Sequence, residues 1–329
     1  MRDPAGVSAA VESAGSVWIA GHVNPDGDAI GSALAMRLIL ETMGKRTTVF
    51  FQDKVPDDLA FLPGASEIRP PSEAGDSADL FLAVDTSSRD RLGSCEALMA
   101  RCSRTAQIDH HGTNPAYAQV NSVDGSAAAT GVLILEQMKA LKVALTADVA
   151  LCLYAAISTD TGNFSFDCTN GEVFRAMSEL MEAGLPLAEL NMRLFREKSR
   201  PQLKLLGRAI EHLFFAGAGR IAVMTLSRRD FEDCGALAEH ADTIVNYGLE
   251  TLGTWMALLA RENGDGTVKF SLRARAPLTV DDVAESLGGG RHPRAAGISI
   301  PGILEETTRR VVEAMEARLE RETDLEEER

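Results

Sequence analysis

Three side chains able to hold a metal ion, His22, Asp26 and Asp28, fall within seven residues, in the run Gly-His-Val-Asn-Pro-Asp-Gly-Asp. Asp26 and Asp28 flank a glycine, so they can project to different sides of one turn. Two carboxylates held that close repel unless a cation lies beside them. A capping turn, with Asp28 as N-cap and Asp26 as a turn residue, would explain the same pair. The pattern recurs, however. Val84-Asp85-Thr86-Ser87, Ile108-Asp109-His110-His111-Gly112 and Ser158-Thr159-Asp160-Thr161-Gly162 each set acids or histidines behind an apolar run. A further cluster, Gly288-Gly289-Gly290-Arg291-His292, lies near the C-terminal end. Four of the six histidines (His22, His110, His111, His292) fall in these clusters. Capping turns do not account for that. His212 and His240 stand apart and read as satisfied core residues.

The donors are carboxylates and imidazoles, with no thiolate among them. That mixture favours Mn²⁺ or Mg²⁺, with Zn²⁺, Co²⁺ or Fe²⁺ also compatible. Five or more candidate ligands exceed one tetrahedral site but suit two ions about 4 Å apart. Such a pair can generate hydroxide at neutral pH and aim it at phosphorus in line with the leaving oxygen. The chemistry implied is hydrolysis of phosphoesters or phosphoanhydrides. At 288–292, successive glycines expose backbone N–H groups and let a phosphate approach closely. Arg291 and His292 make an anion site the better reading there.

These residues need a frame that brings them together. Val17 to Ala20 reads as a strand, Asn24, Pro25 and Gly27 as a loop, and 29–43 as a helix. Further strands are expected at 47–51, 80–84 and 104–108, with helical runs at 126–140, 146–157 and 170–183. This alternation predicts a mostly parallel sheet with helices on both faces, whose carboxyl edge is the ligand-binding edge. A stretch unlike its acidic surroundings follows, with Arg193, Arg196, Lys198, Arg200, Lys204 and Arg208, and reads as a connecting helix. Beyond it, strands at 220–226, 254–261 and 267–274, with helices near 228–247 and 280–287, predict a smaller α/β domain. The expected division is therefore 1–187, a linker at 188–215, and 216–329, with the active site in the cleft.

Bulk properties narrow the partners. The chain has 329 residues and a formal net charge of −15, which argues against gripping long duplex nucleic acid. The five cysteines form no Cys-x-x-Cys pair, so a reducing cytoplasm is expected. No membrane-length apolar run is evident. Aromatics make up 5% of the chain, too few for a long single-strand channel. Phe164 and Phe166 lie near a cluster and are assigned to packing.

Four segments, G-H-V-N-P-D-G-D-A-I-G-S, A-V-D-T-S, D-H-H-G-T-N and S-T-D-T-G-N-F, resemble the motifs of the DHH phosphoesterase superfamily. G-G-G-R-H-P-R-A-A-G resembles the glycine-rich motif of its DHH-associated C-terminal domain, with Arg291 where a fourth glycine is usual. Within the superfamily the chain looks most like the NrnA-type oligoribonuclease/pAp phosphatases. The resemblance implies that His22, Asp26 and Asp85 hold one ion. It implies that Asp28, Asp85, His110 and Asp160 hold the other, with Asp85 shared. Asp109 would orient the histidines, and His111 would face the substrate phosphate. Arg273, Gly288, Gly289, Gly290, Arg291 and His292 would bind the substrate's remote end. Two divalent ions are implied, Mn²⁺ first, with Mg²⁺ or Co²⁺ as substitutes.

The expected activity is hydrolysis of very short RNA to mononucleotides and of pAp to AMP. Expected partners are short single-stranded RNA or a nucleotide, with no duplex and no membrane, and a homodimer left open. Competing readings are a linear or cyclic dinucleotide phosphodiesterase, a pyrophosphatase or exopolyphosphatase, and a non-catalytic nucleotide sensor.

Overall fold

The computed structural model describes residues 2–289 and 294–327. It divides into two compact units, Met1–Glu197 and Lys198–Arg329. The first is built on strands β1 (Ser16–Ala20), β2 (Arg46–Phe50), β3 (Ala78–Val84), β4 (Cys102–Asp109) and β5 (Val120–Val123). Every neighbouring pair is parallel, in the order β2-β1-β3-β4-β5. Its helices are α1 (Pro4–Ser13), α2 (Gly27–Thr42), α3 (Glu96–Met99), α4 (Thr130–Ala140), α5 (Ala147–Asp160), α6 (Gly171–Glu182) and α7 (Leu187–Asn191).

The strands are apolar on both faces, as a sheet covered on both sides requires. Val17, Ile19, Leu80, Leu82 and Val84 enter one core with residues of α1, α2, α4 and α5. Trp18, Phe50, Phe81 and Ala83 enter the other, with Leu92, Cys95, Leu98 and Met99, and Tyr117 packs against it. At Gly31 a Cβ would lie 2.4 Å from the Cys152 carbonyl oxygen, so α2 and α5 touch backbone to backbone. That close packing helps fix where α5 ends, and Asp160 is its last residue. The run 150–157 is thus helix, not strand, and its 14-residue element is longer than an ordinary strand.

β5 was not evident in the sequence. Its Asn121 and Ser122 are buried polar residues, and Asn121 is satisfied by Gln107, whose Nε2 donates to Asn121 Oδ1 at 2.6 Å.

The basic stretch is not one connecting helix. It breaks at Glu197–Ser199, where Ser199 caps a new helix, α8 (Arg200–Glu211), and Pro201 sits in its first turn. α7 and the wide turn Met192–Arg196 stay with the first unit, and Leu205 and Ala209 of α8 join a core of the second.

The second unit continues with β6 (Phe214–Ala216), β7 (Ile221–Leu226), α9 (Arg228–Cys234), α10 (Ile244–Leu249), β8 (Met256–Glu262), β9 (Thr267–Ala274), α11 (Asp281–Ser286), β10 (Ala295–Pro301) and α12 (Leu304–Glu327). Its sheet runs β10-β9-β8-β7-β6, with only β7 and β8 parallel. The single helix expected near 228–247 is interrupted because Gly235, at φ 62°, ends α9. His212 and His240 are helix-end residues and not core. His212 Nδ1 lies 3.0 Å from the Thr225 carbonyl, and His240 Nδ1 accepts from Leu237 N.

Candidate metal centre and active site

In the order 2-1-3-4-5, connections leave β1 and β3 toward opposite sides, and the crevice opens at the carboxyl ends of those two strands. His22 follows β1 and Asp85 follows β3, so both stand at that point. Asp109 ends the adjacent β4, and His110 and His111 come next.

Asp85 is the centre of the arrangement. Its Oδ2 lies 3.4 Å from His22 Nε2 and its Oδ1 3.6 Å from His110 Nε2, so the two carboxylate oxygens face different histidines. The residue is 2% exposed and adopts φ 50°, a left-handed conformation that a non-glycine residue keeps only when its surroundings enforce it. Its N–H donates to the Ile108 carbonyl, and Thr130 Oγ1 donates to Oδ1.

Around it three groups of donors gather, each with ligand atoms within 4.8 Å of one another: His22, Asp26 and Asp85; Asp28, His110 and Asp160; and Asp85, His110 and His111. The imidazoles are oriented for this. His22 Nδ1 lies 2.9 Å from the Val23 carbonyl and His110 Nδ1 3.3 Å from the Ala127 carbonyl. A carbonyl can only accept, so the proton belongs on Nδ1 and the Nε2 lone pair turns toward the carboxylates.

Asp26 and Asp28 serve differently. Asp26, not Asp28, is the N-cap of α2, its Oδ1 accepting from the amides of Asp28 and Ala29. Capping and ligation are therefore compatible in one side chain. Asp28 is fully buried, with Oδ1 accepting from Ser32 Oγ and Gly131 N and Oδ2 from Thr130 N at 2.6 Å. The N-terminus of α4 thus holds Asp28 from behind, with the helix dipole favouring its charge.

Asp109 is buried and accepts from both sides, with Oδ1 2.8 Å from His111 Nδ1 and Oδ2 2.6 Å from the Asn114 amide. Asn114 also donates to the Thr86 carbonyl. His111 is left with its Nε2 directed away from Asp109, on a side chain 39% exposed.

The electrostatics are those of a crowded anionic site. Burial first, then the charges of Asp85, Asp160 and Asp26, push the Asp28 pKa far above the carboxylate range. Burial, then Asp85 and Asp26 against the opposing pull of His110, raises that of Asp160 to about 6. Burial opposes the imidazolium of His22, but hydrogen bonds to Asp26 and Asp85 outweigh it and lift its pKa to about 10. Asp26 is mostly open to solvent, yet crowding at its carboxylate still opposes ionisation. The His22 hydrogen bond and the amides of Ala29 and Asp28 overcome that and lower its pKa. The hydrogen bond to Asp109 raises the pKa of His111. Such a cluster fits divalent cations, which would offset the repulsion that protons otherwise relieve.

The second unit gives less. Arg273 is half-buried on β9, with Nη1 donating to the Leu272 carbonyl, and burial lowers its pKa. Gly288 N donates to the Glu285 carbonyl and Gly289 N to the Ala284 carbonyl, at the end of α11. At Gly289 a Cβ would lie 2.7 Å from the Gly297 carbonyl oxygen. These two glycines therefore close a helix and pack against β10, and their N–H groups are already engaged. Gly290, Arg291 and His292 lie outside the described residues. Phe164 packs on Tyr154 and Phe174, whereas Phe166 is exposed, with its ring over Gly162.

The model of the DHH family N-terminal domain matches residues 16–157, and the DHHA1 domain model matches 220–321. A bifunctional oligoribonuclease and PAP phosphatase NrnA of Thermus thermophilus is 36% identical over 323 residues, covering 98% of this chain and 95% of that one. The chain belongs to the DHH family. This DHH protein is a phosphoesterase, and its cluster is a possible metal-binding centre. Its fold is shared with an exopolyphosphatase-related protein of Bacteroides fragilis, at TM-score 0.90 and 23% identity, covering 98% of this chain and 96% of that one. RecJ of Thermus thermophilus in complex with Mn²⁺ matches at TM-score 0.53 and 16% identity, over 95% of this chain and 55% of RecJ. Among the described residues, no helix is long and apolar enough to cross a membrane.

Proposed function

We propose that this DHH phosphoesterase hydrolyses short single-stranded RNA to mononucleotides and pAp to AMP, using two divalent ions, Mn²⁺ preferred and Mg²⁺ or Co²⁺ as substitutes. The observation that carries the two-ion reading is the division of Asp85, one oxygen toward His22 and the other toward His110. His22, Asp26 and Asp85 would hold one ion; Asp28, Asp85, His110 and Asp160 the other. Bound there, the ions would acidify water at neutral pH and neutralise phosphate charge.

The chain's own groups do the rest. Asp28 is fixed by the amides of Thr130 and Gly131, so it cannot swing toward solvent. Asp109 holds His111 in one orientation and stabilises its protonated form. His111 Nε2 then carries a proton that it can donate to the leaving oxygen or keep against the phosphate charge. Arg273, Gly288, Gly289, Gly290, Arg291 and His292 would take the remote end of the substrate. Because the amides of Gly288 and Gly289 are engaged, that grip falls to Arg273, Arg291 and His292.

The substrate class rests on the full-length similarity to the NrnA relative. Five free cysteines fit a reducing cytoplasm. With Mn²⁺, the expected result is fast turnover of pAp and di- to pentanucleotides and slow turnover of long RNA. Fast hydrolysis of pyrophosphate with none of dinucleotides, or of cyclic dinucleotides alone, would replace the assignment.

A further inference from the structure

Arg91 belongs to none of the motifs, yet it stands against the metal cluster. Its Nη2 is 3.3 Å from His22 Nδ1. That nitrogen already carries the proton shared with the Val23 carbonyl, so it offers the guanidinium no acceptor. The ion pairs among the described residues do not include Arg91, although Arg89, two positions earlier, pairs with Glu96 at 2.8 Å. Asp26 and Asp85, the partners of His22, leave it unpaired too.

The backbone beneath it is built for this placement. Val23 N donates to the Arg91 carbonyl at 2.8 Å, and Arg91 N to Ser88 O. Leu92 is fully buried next to it. At Gly93, φ 55°, a Cβ would come within 2.4 Å of both Val23 and Gln52. Ser94 N donates to Gln52 Oε1. A larger residue at 93 would push this segment off the His22 loop. An exposed guanidinium is thus carried by a tightly fixed segment to the rim of the cluster, without a carboxylate to neutralise it.

We propose that Arg91 contacts a phosphoryl group of the substrate beside the His22 half of the centre. The chemistry recognised is a phosphate oxyanion, which a guanidinium meets through charge-assisted, often paired, hydrogen bonds. The inference rests on the phosphoesterase reading of the cluster but not on the choice of RNA or pAp.

The test is titration of inorganic phosphate into the Mn²⁺-loaded full chain, by calorimetry, for wild type, Arg91→Ala, Arg91→Lys and Arg89→Ala. Wild type and Arg89→Ala should bind alike, and Arg91→Ala about tenfold more weakly. Arg91→Lys should fall between them. Mn²⁺ affinity should not change in any variant. On whichever phosphoester wild type cleaves, including a p-nitrophenyl phosphodiester, kcat/KM of Arg91→Ala should drop about 100-fold and recover partly with added guanidinium. Failure to cleave RNA and pAp while the p-nitrophenyl ester is cleaved would remove the substrate assignment and leave Arg91 to be judged on that ester. Equal phosphate affinity in wild type and Arg91→Ala, or no binding by either, overturns the proposal. So does a loss that tracks weakened Mn²⁺ binding and is cured by excess Mn²⁺, since Arg91 would then only position His22.

Discussion

The two halves of the proposed metal centre are built from the same residue types and behave oppositely. On the His22 side, Asp26 is a solvent-open N-cap whose pKa is lowered. On the His110 side, Asp28 is fully buried and Asp160 partly so, and both pKa values are raised, that of Asp160 to about 6. One half stands ready as a charged ligand set. The other is pushed toward its protonated form by burial and mutual repulsion, which a bound cation would relieve. The difference comes from where α2 and α4 begin: one helix end faces water, the other is closed over a carboxylate. In the proposed ligand sets Asp85 serves both halves, one oxygen toward His22 and the other toward His110.

The largest effect is expected where the halves meet. Asp85→Ala should lower kcat/KM for Mn²⁺-dependent phosphate release from pAp by about 1000-fold or more, since it disturbs both sets of ligands. A loss no greater than that of Asp26→Ala would mean the halves are independent.

Asp28→Asn should cost about 100-fold in activity and also lower the metal-free melting temperature at pH 8, because both carboxylate oxygens accept N–H donors and an amide NH2 would face one of them. An unchanged melting temperature would contradict the account of how α4 holds that carboxylate. Asp26→Ala should be milder, about 1 kcal/mol of stability from the lost cap, with activity largely restored by excess Mn²⁺.

The smallest effect is on pH dependence. Asp160 binds its proton more tightly folded, at about 6, than at its ordinary 3.8. Its contribution to metal-free stability is therefore full below about 4 and lost as pH rises through about 6. Melting curves in chelator should show wild type losing more stability than Asp160→Asn across that window, and Mn²⁺ should remove the difference. Parallel curves would show that Asp160 does not titrate there.

Much of this cluster was legible because His22, Asp85, Asp109 and Asp160 each follow an apolar run. Strands 80–84 and 104–108 end at Asp85 and Asp109, and sequence order alone puts them on one edge. The support behind the ligands was not legible. Thr130 and Gly131 reach Asp28 across about a hundred positions of chain. Asn114, the last residue of the D-H-H-G-T-N segment, carried no sign that it would anchor Asp109. β5 was hidden because Asn121 is a polar residue whose burial depends on partners, Gln107 and Ala118, that the sequence does not reveal. Gly288 and Gly289 show the opposite failure. A glycine run that closes a helix looks the same in sequence as one that cradles phosphate, and here those two amides go to Glu285 and Ala284. Arg91, in the polar run Ser87 to Arg91, reads as solvated surface until the fold brings it to His22.

The most direct measurement is anomalous diffraction at the manganese edge from crystals grown with Mn²⁺. The account predicts two peaks about 4 Å apart, with Asp85 between them, one beside His22 and the other beside His110 and Asp160. A single peak, or two that do not share Asp85, would contradict it.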